Sequence, residues 1–264
     1  MLVTNEKCDL GQFLARLARA RTSALLLDYD GTLAPFSQQR DRALPYAGVS
    51  ALLNDIMEQG HTRVVIVTGR PVAEVVRLLG IHPCPEIWGL HGLQRLKPDG
   101  ACETFSADSE ARRTLMEASS WLDRLGFRHL AEFKPGSIAV HWRGVPDLLA
   151  ADVRSKVVLK WMSLAFRPNM ELLEFDGGLE IRLAAKNKAD AVRTVLAEME
   201  EDAVIAYLAD EQNDEEAFRV LQPRGLAVLV RPEWRPTVAD LWLQPPRELL
   251  DFLSHWRQSR RGSQ

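Results

Sequence analysis

The 264-residue chain is 46% hydrophobic and 26% charged, a balance that excludes fibrous and disordered polymers and leaves room for one large domain or two modest ones. Its formal net charge of -3 argues against the clustered basic excess of a nucleic-acid binder, and the basic tail at 257–261 reads as a solvated end. No apolar run approaches membrane-spanning length and residues 1–7 show no positive region leading into an apolar block, so no membrane contact and a cytoplasmic location are expected.

In chain order, short apolar runs of strand length at 24–27, 64–67 and 87–90 alternate with helical patterns at 47–59 and 71–79, Pro71 suiting a first helical position. After a long interruption the alternation resumes, with helices at 188–200 and 214–221 and strands at 203–208 and 226–230. Such alternation predicts a doubly wound α/β core with a parallel sheet. The interruption, residues 97–183, has another rhythm. It begins with the turn signal Lys97-Pro98-Asp99-Gly100 and offers strands at 127–133, 137–142, 165–167, 171–175 and 179–183 with helices at 107–125 and 147–162. Asp176-Gly177-Gly178 is a hairpin turn. An inserted α+β domain is therefore expected at 97–183, between two halves of a core domain at 1–96 and 184–264. Cys8, Cys84 and Cys102 are far apart and lack metal-ligand spacing, so neither a disulfide framework nor a structural zinc is expected.

Ligands of open α/β sheets bind beyond the carboxyl ends of the strands, and four polar segments sit there. In Asp28-Tyr29-Asp30-Gly31-Thr32 two carboxylates one residue apart can face a ligand together. One can attack phosphorus while the other handles protons. An EF-hand is excluded because the sixth loop position is Leu33 and the twelfth is Gln39; a plain turn stays open for this motif taken alone. Thr68-Gly69-Arg70 can hold a phosphoryl oxygen at a helix start. Lys188 can neutralise charge on a transferring group, although a lone lysine is usually a solvated surface group. Asp210-Glu211-Gln212-Asn213-Asp214 can meet Asp28 around Mg²⁺, a cation that prefers oxygen ligands; the alternative is an acidic helix start. The coincidence of all four at strand ends is what gives them weight.

In their order and spacing these segments resemble the four motifs of the haloacid dehalogenase superfamily. The resemblance implies a Rossmann-like core and makes 97–183 a type-two cap. More narrowly, Leu27-Asp28-Tyr29-Asp30-Gly31-Thr32-Leu33, Val67-Thr68-Gly69-Arg70 and Gly89-Leu90-His91-Gly92 resemble the trehalose-6-phosphate phosphatase family. Within the insert, Glu132-Phe133-Lys134 with Ser137, His141-Trp142-Arg143 and Glu180-Ile181-Arg182 resemble that family's sugar-recognising elements. The late motif departs from the family pattern: Glu211 stands for the usual Asp and Asn213 for Thr, while Ala189 stands for Gly after the lysine.

What the resemblance implies is a phosphatase acting through an aspartyl-phosphate, with Asp28 as nucleophile, Asp30 as acid/base, and Thr68 and Lys188 on the phosphoryl oxygens. Mg²⁺ would be held by Asp28, the Asp30 backbone carbonyl and Asp210. Arg70, Glu132, Lys134, Arg143 and Glu180 would bind a sugar phosphate, in a monomer or homodimer. The charged insert residues read equally as solvent-facing positions on a half-exposed sheet. A phosphatase for another sugar phosphate and a non-catalytic sugar-phosphate-binding protein remain the alternatives.

Overall fold

The computed structural model describes residues 2–3, 9–37, 40–105, 108–134, 136–184, 186–222 and 224–261. Cys8, Ala107 and Ala185, which enter the sequence expectations, lie outside them. In chain order, β1 (Leu2–Val3), α1 (Leu10–Arg19), β2 (Ser23–Leu27), α2 (Val49–Glu58), β3 (Thr62–Val67), α3 (Val72–Leu79), β4 (Glu86–Gly89), β5 (Gln94–Leu96) and β6 (Cys102–Thr104) come first. Then come α4 (Ser109–Leu125), β7 (Ala131–Lys134), β8 (Ser137–His141), α5 (Asp147–Ala165), β9 (Met170–Phe175) and β10 (Gly178–Leu183). These are followed by α6 (Lys188–Glu198), β11 (Val204–Ala209), α7 (Glu215–Leu221), β12 (Gly225–Val230), β13 (Leu241–Leu243) and α8 (Arg247–Arg261). Two compact units result, one from Met1–Glu103 with Lys188–Gln264 and one from Thr104–Asn187.

The first unit is built on a sheet of order β1-β13-β12-β11-β2-β3-β4-β5-β6. From β13 to β4 every pairing is parallel, while β1 and β5 join antiparallel at its flanks. Alternate residues of each strand feed two separate cores, as the two-residue strand period requires. Leu25, Leu27, Val64, Ile66, Leu208 and Val228 pack with α1, α2, α3 and α8. Ala24, Leu26, Val65, Val67, Ile205 and Tyr207 pack with α6 and α7. Burial on both faces is why these strands read as continuous apolar runs. The chain winds one way from β2 through β3 to β4 and the other way from β11 through β12 to β13. The strand order thus switches direction between β2 and β11, which is where such sheets open a crevice.

Two expectations are corrected in this unit. The Lys97–Gly100 turn does not open the insert: Lys97 N–H donates to the Ala101 carbonyl at 2.8 Å and joins β5 to β6 at the edge of the core sheet, so the compact units divide at 104 and 187. The basic tail is not a solvated end. The stripe Leu249, Phe252, Leu253 and Trp256 of α8 is buried in the core and carries the tail with it. Arg260, 2% exposed, donates to the carbonyls of Leu17, Ala20, Arg21 and His61, two of which lie at the end of α1, where helical partners run out.

The second unit is a four-stranded antiparallel sheet of order β7-β8-β10-β9, with α4 over β8 and β10 and α5 over β9 and β10. The β9–β10 hairpin turns on Asp176 and Gly177, the latter at φ 79°, as its sequence predicts. The strand expected at 127–133 starts only at Ala131. Gly126 caps α4 in the left-handed region, Phe127 N–H returns to the Leu122 carbonyl, and a 3₁₀ turn at Arg128–Leu130 follows. The strand expected at 165–167 is absent: α5 runs to Ala165 because Trp161 and Leu164 continue its buried stripe, and Phe166 is 86% exposed. Among the described residues Cys84 and Cys102 are free thiols, and no helix is long and apolar enough to cross a membrane.

Candidate active site

The switch between β2 and β11 places the first and last motifs side by side. Asp28 follows β2, and its N–H still bonds to the Leu208 carbonyl of β11 at 2.8 Å, so its buried carboxylate is fixed by the sheet. The chain then turns sharply. Tyr29 N–H donates to Asp28 Oδ1 at 2.7 Å, and the Tyr29 hydroxyl anchors on the Ala43 carbonyl. Gly31 sits at φ 80°, and a Cβ there would lie 2.2 Å from Asp210 Oδ2; only glycine admits both the conformation and the close approach.

Asp210 follows β11 and is fully buried. Its Oδ1 accepts from Thr32 Oγ1 at 3.1 Å, whereas Oδ2 has no partner among the described residues. Lys188, at the start of α6, reaches Asp28 Oδ2 at 2.7 Å and Asp214 Oδ1 at 2.9 Å. Asp214 also accepts from the Tyr207 hydroxyl and the Glu211 N–H, closing the turn 211–214 as a capping box. Ligand atoms of Asp28, Asp210 and Asp214 lie within 4.8 Å of one another. Three buried oxygen donors, one of them an orphaned carboxylate oxygen, fit a hard divalent cation. Asp214 was not among the ligands chosen from the sequence, although it stands in the acidic run that was singled out.

The electrostatics follow from this crowding. Burial, partly countered by Lys188 and reinforced by Asp214, pushes the Asp28 carboxyl up to about 7. Burial and the charges of Asp28, Glu211 and Asp214 raise Asp210 well above the carboxylate range. Glu211 rises for the same first reason, desolvation. Lys188 would lose its proton more easily by burial alone, but Asp214 and Asp28 hold it charged. A cluster so rich in buried carboxylates is relieved by positive charge at its centre.

Thr68, after β3, is buried, and its Oγ1 accepts from the Arg70 N–H at 3.2 Å. Arg70, expected against the substrate, is placed otherwise. Its side chain is 1% exposed and forks onto both oxygens of Asp30 at 2.6 Å, with Glu74 at 3.4 Å and the Tyr29 ring beneath it. The Asp30 carboxylate thus stands outside the carboxylate trio.

In the second unit, the register puts Glu132 of β7, Ala139 of β8 and Glu180 of β10 in one row. Their face of the sheet lies opposite the buried Ile138, Val140, Leu179 and Ile181. Lys134 stands 3.2 Å from Glu180 and 4.0 Å from Glu132. Ser137 Oγ donates to Glu180 at 2.5 Å, and His141 Nε2 lies 3.2 Å from Glu132. The side chains of Lys134 and Glu180 are 7% and 4% exposed, so for these two the solvent-facing reading fails. Arg143 is not in this cluster; half exposed, it braces the β9–β10 turn through the Asp176 carboxylate at 2.9 Å and the Asp176 carbonyl.

Residues 26–240 match the family model described as trehalose-phosphatase. The chain belongs to the trehalose-phosphatase family. It is 30% identical over 248 residues to a trehalose-phosphate phosphatase of Mycobacterium marinum, an alignment covering 87% of this chain and 60% of the relative, so it spans less than two thirds of that protein's length. The fold is that of the C-terminal domain of Candida albicans trehalose-6-phosphate phosphatase, with a TM-score of 0.81 at 18% identity over 98% of this chain and 99% of the other. It is shared more distantly with a phosphatase of the haloalkanoate (HAD) enzyme superfamily from Bacteroides thetaiotaomicron, at a TM-score of 0.59 and 14% identity over 89% and 95% of the two chains. The family's doubly wound α/β core with an inserted α+β unit is the architecture described above.

Proposed function

We propose that the chain is a Mg²⁺-dependent phosphatase that hydrolyses trehalose 6-phosphate to trehalose and phosphate. The observation that carries this reading is the buried Asp28 carboxylate, 2.7 Å from Lys188 and clustered with Asp210 and Asp214 at the strand switch.

Asp28 attacks phosphorus as the bond to the sugar oxygen breaks, and protonated Asp30 gives that oxygen its proton. Asp30 then takes a proton from the water that hydrolyses the aspartyl-phosphate, which regenerates Asp28. Lys188 and Thr68 hold the phosphoryl oxygens through both displacements. Asp28, Asp210 and the Asp30 carbonyl, with Asp214 beside them, would hold Mg²⁺, which when bound offsets the negative charge brought together in the attack. Both oxygens of Asp30 accept from Arg70, which fixes the direction in which a remaining lone pair of Asp30 can carry the proton.

In this reading the second unit recognises the sugar. Glu132, Lys134 and Glu180 are supported by their shared sheet face and their mutual contacts, and charged groups already paired with one another suit hydroxyl recognition, since an analogue lacking a hydroxyl would leave them unsatisfied. Arg143 rests on the sequence resemblance alone. The substrate assignment is supported by the family and by the name of the Mycobacterium relative. Side-by-side turnover of trehalose 6-phosphate, sucrose 6-phosphate and glucose 6-phosphate tests it: a higher kcat/KM for trehalose 6-phosphate is expected, and a clear preference for another ester overturns the choice of substrate.

A further inference from the structure

We infer that Arg235 is a positioning residue that sets the acidic turn Asp210–Glu215 for a divalent cation, a role that rests on the phosphatase reading. Arg235 lies in the connection between β12 and β13, its side chain 15% exposed. Its Nε donates to the Asp210 carbonyl at 3.2 Å and Nη2 to the Glu211 carbonyl at 2.7 Å. Nη1 pairs with Glu215 Oε1 and donates to the Pro236 carbonyl at 2.9 Å. The other oxygen of Glu215 accepts from Val238 N–H at 2.9 Å. The turn is therefore tied to the 231–240 connection from both sides.

The geometry explains why a guanidinium is needed. Pairing between β11 and β12 ends at Ala209 with Leu229, so the sheet provides no donor for the carbonyls of Asp210 and Glu211; Asp214 N–H reaches the Glu211 carbonyl at 3.1 Å within the turn, Arg231 Nη1 reaches the Asp210 carbonyl at 3.5 Å, and Arg235 makes the shorter contact to each. One planar fork bridges the two carbonyls and still reaches Glu215, which a lysine's point charge cannot do. The consequence lies on the other side of the peptide. With its backbone held by Arg235 and its Oδ1 by Thr32, Asp210 has one orientation left for Oδ2, the atom without a partner in the carboxylate trio. Glu211, longer than the family's usual aspartate, is occupied within the turn by Asn213 at 3.0 Å. The outer clamp thus falls to Arg235. Partners that orient a ligand without touching the ion commonly change metal affinity by about 10- to 100-fold.

The test is Mg²⁺ binding without substrate, read as the rise of Tm with Mg²⁺ concentration in the full chain, for Arg235→Lys, Arg235→Met and Glu215→Gln. Both arginine variants are expected to need about 10- to 100-fold more Mg²⁺ for half the effect, with Glu215→Gln shifted in the same direction, and KM for the phosphate ester at saturating Mg²⁺ unchanged. Wild-type Mg²⁺ dependence in Arg235→Lys would reduce the role to charge and overturn the clamp. If Arg235→Met does not fold, the lysine and Glu215 variants still decide. A wild-type protein that binds Mg²⁺ but releases no phosphate removes the phosphatase reading and leaves the clamp standing. A wild-type protein that hydrolyses the ester, with Arg235 variants of unchanged Mg²⁺ dependence, removes the clamp alone. No Mg²⁺ response in the wild type overturns both.

Discussion

Arg70 and Asp30 form a bidentate pair, Nε to Oδ2 and Nη2 to Oδ1, each at 2.6 Å, with the guanidinium buried against the Tyr29 ring. Such a fork fixes a carboxylate in direction as well as in place. If Arg70 acts by holding Asp30 and not by gripping substrate, Arg70→Lys should lower kcat by about 10-fold or more, a part of what a general acid contributes, while KM changes little. Steady-state kinetics at saturating Mg²⁺ decide between the two roles, because loss of a substrate contact would appear as a raised KM.

Asp30→Asn should lower kcat for a sugar phosphate by about 10²- to 10⁴-fold, the usual worth of positioned acid/base catalysis. Formation of the aspartyl-phosphate from p-nitrophenyl phosphate should be much less affected, since that leaving group departs without a proton. Burst kinetics with the two substrates measure the difference; equal losses on both would remove Asp30 from the role of acid.

The raised Asp28 carboxyl has a stability consequence. Its ordinary value is 3.8 and its folded value about 7, so the native state binds this proton more tightly than the unfolded chain does. Its contribution therefore favours the folded form at low pH and is lost as pH rises from about 4 to about 7. In metal-free protein, Asp28→Asn should gain stability relative to wild type across that window, by an amount on the order of a few kcal/mol. Urea denaturation at pH 5 and pH 8 tests this; a pH-independent difference would contradict it.

Lys134 lies between Glu132 and Glu180 with little exposure. Lys134→Met removes the cation beside the buried Glu180 carboxylate and should cost about 3 kcal/mol or more. Arg143→Ala breaks the pair of a half-exposed arginine with the exposed Asp176 carboxylate and should cost less than about 1 kcal/mol. Denaturant midpoints of the two variants rank them directly.

The strand-end positions of Asp28, Thr68, Lys188 and Asp210 were legible because each follows or precedes a locally periodic segment, and periodicity is a property of neighbouring residues. Arg70 was picked out by its motif, but its partner Asp30 is 40 residues away and nothing local announces it. Arg235 was passed over, and Asp214, though inside the acidic run, was not chosen as a ligand, for the same reason: their importance comes from carbonyls and carboxylates gathered by the fold. The misread strand at 165–167 was a short apolar stretch that the helical stripe through Trp161 and Leu164 claimed instead. The helix α1 went unread and the tail of α8 was read as a solvated end because their meaning lies in each other, Arg260 on one reaching the carbonyls at the end of the other.

Phosphate release from trehalose 6-phosphate by Asp28→Asn in excess Mg²⁺ tests the nucleophile most directly. Lys188 keeps Asp214 at 2.9 Å in that variant, so the fold should survive, and circular dichroism can verify it. A folded protein with no release above background is expected; hydrolysis at the wild-type rate would contradict Asp28 as the nucleophile.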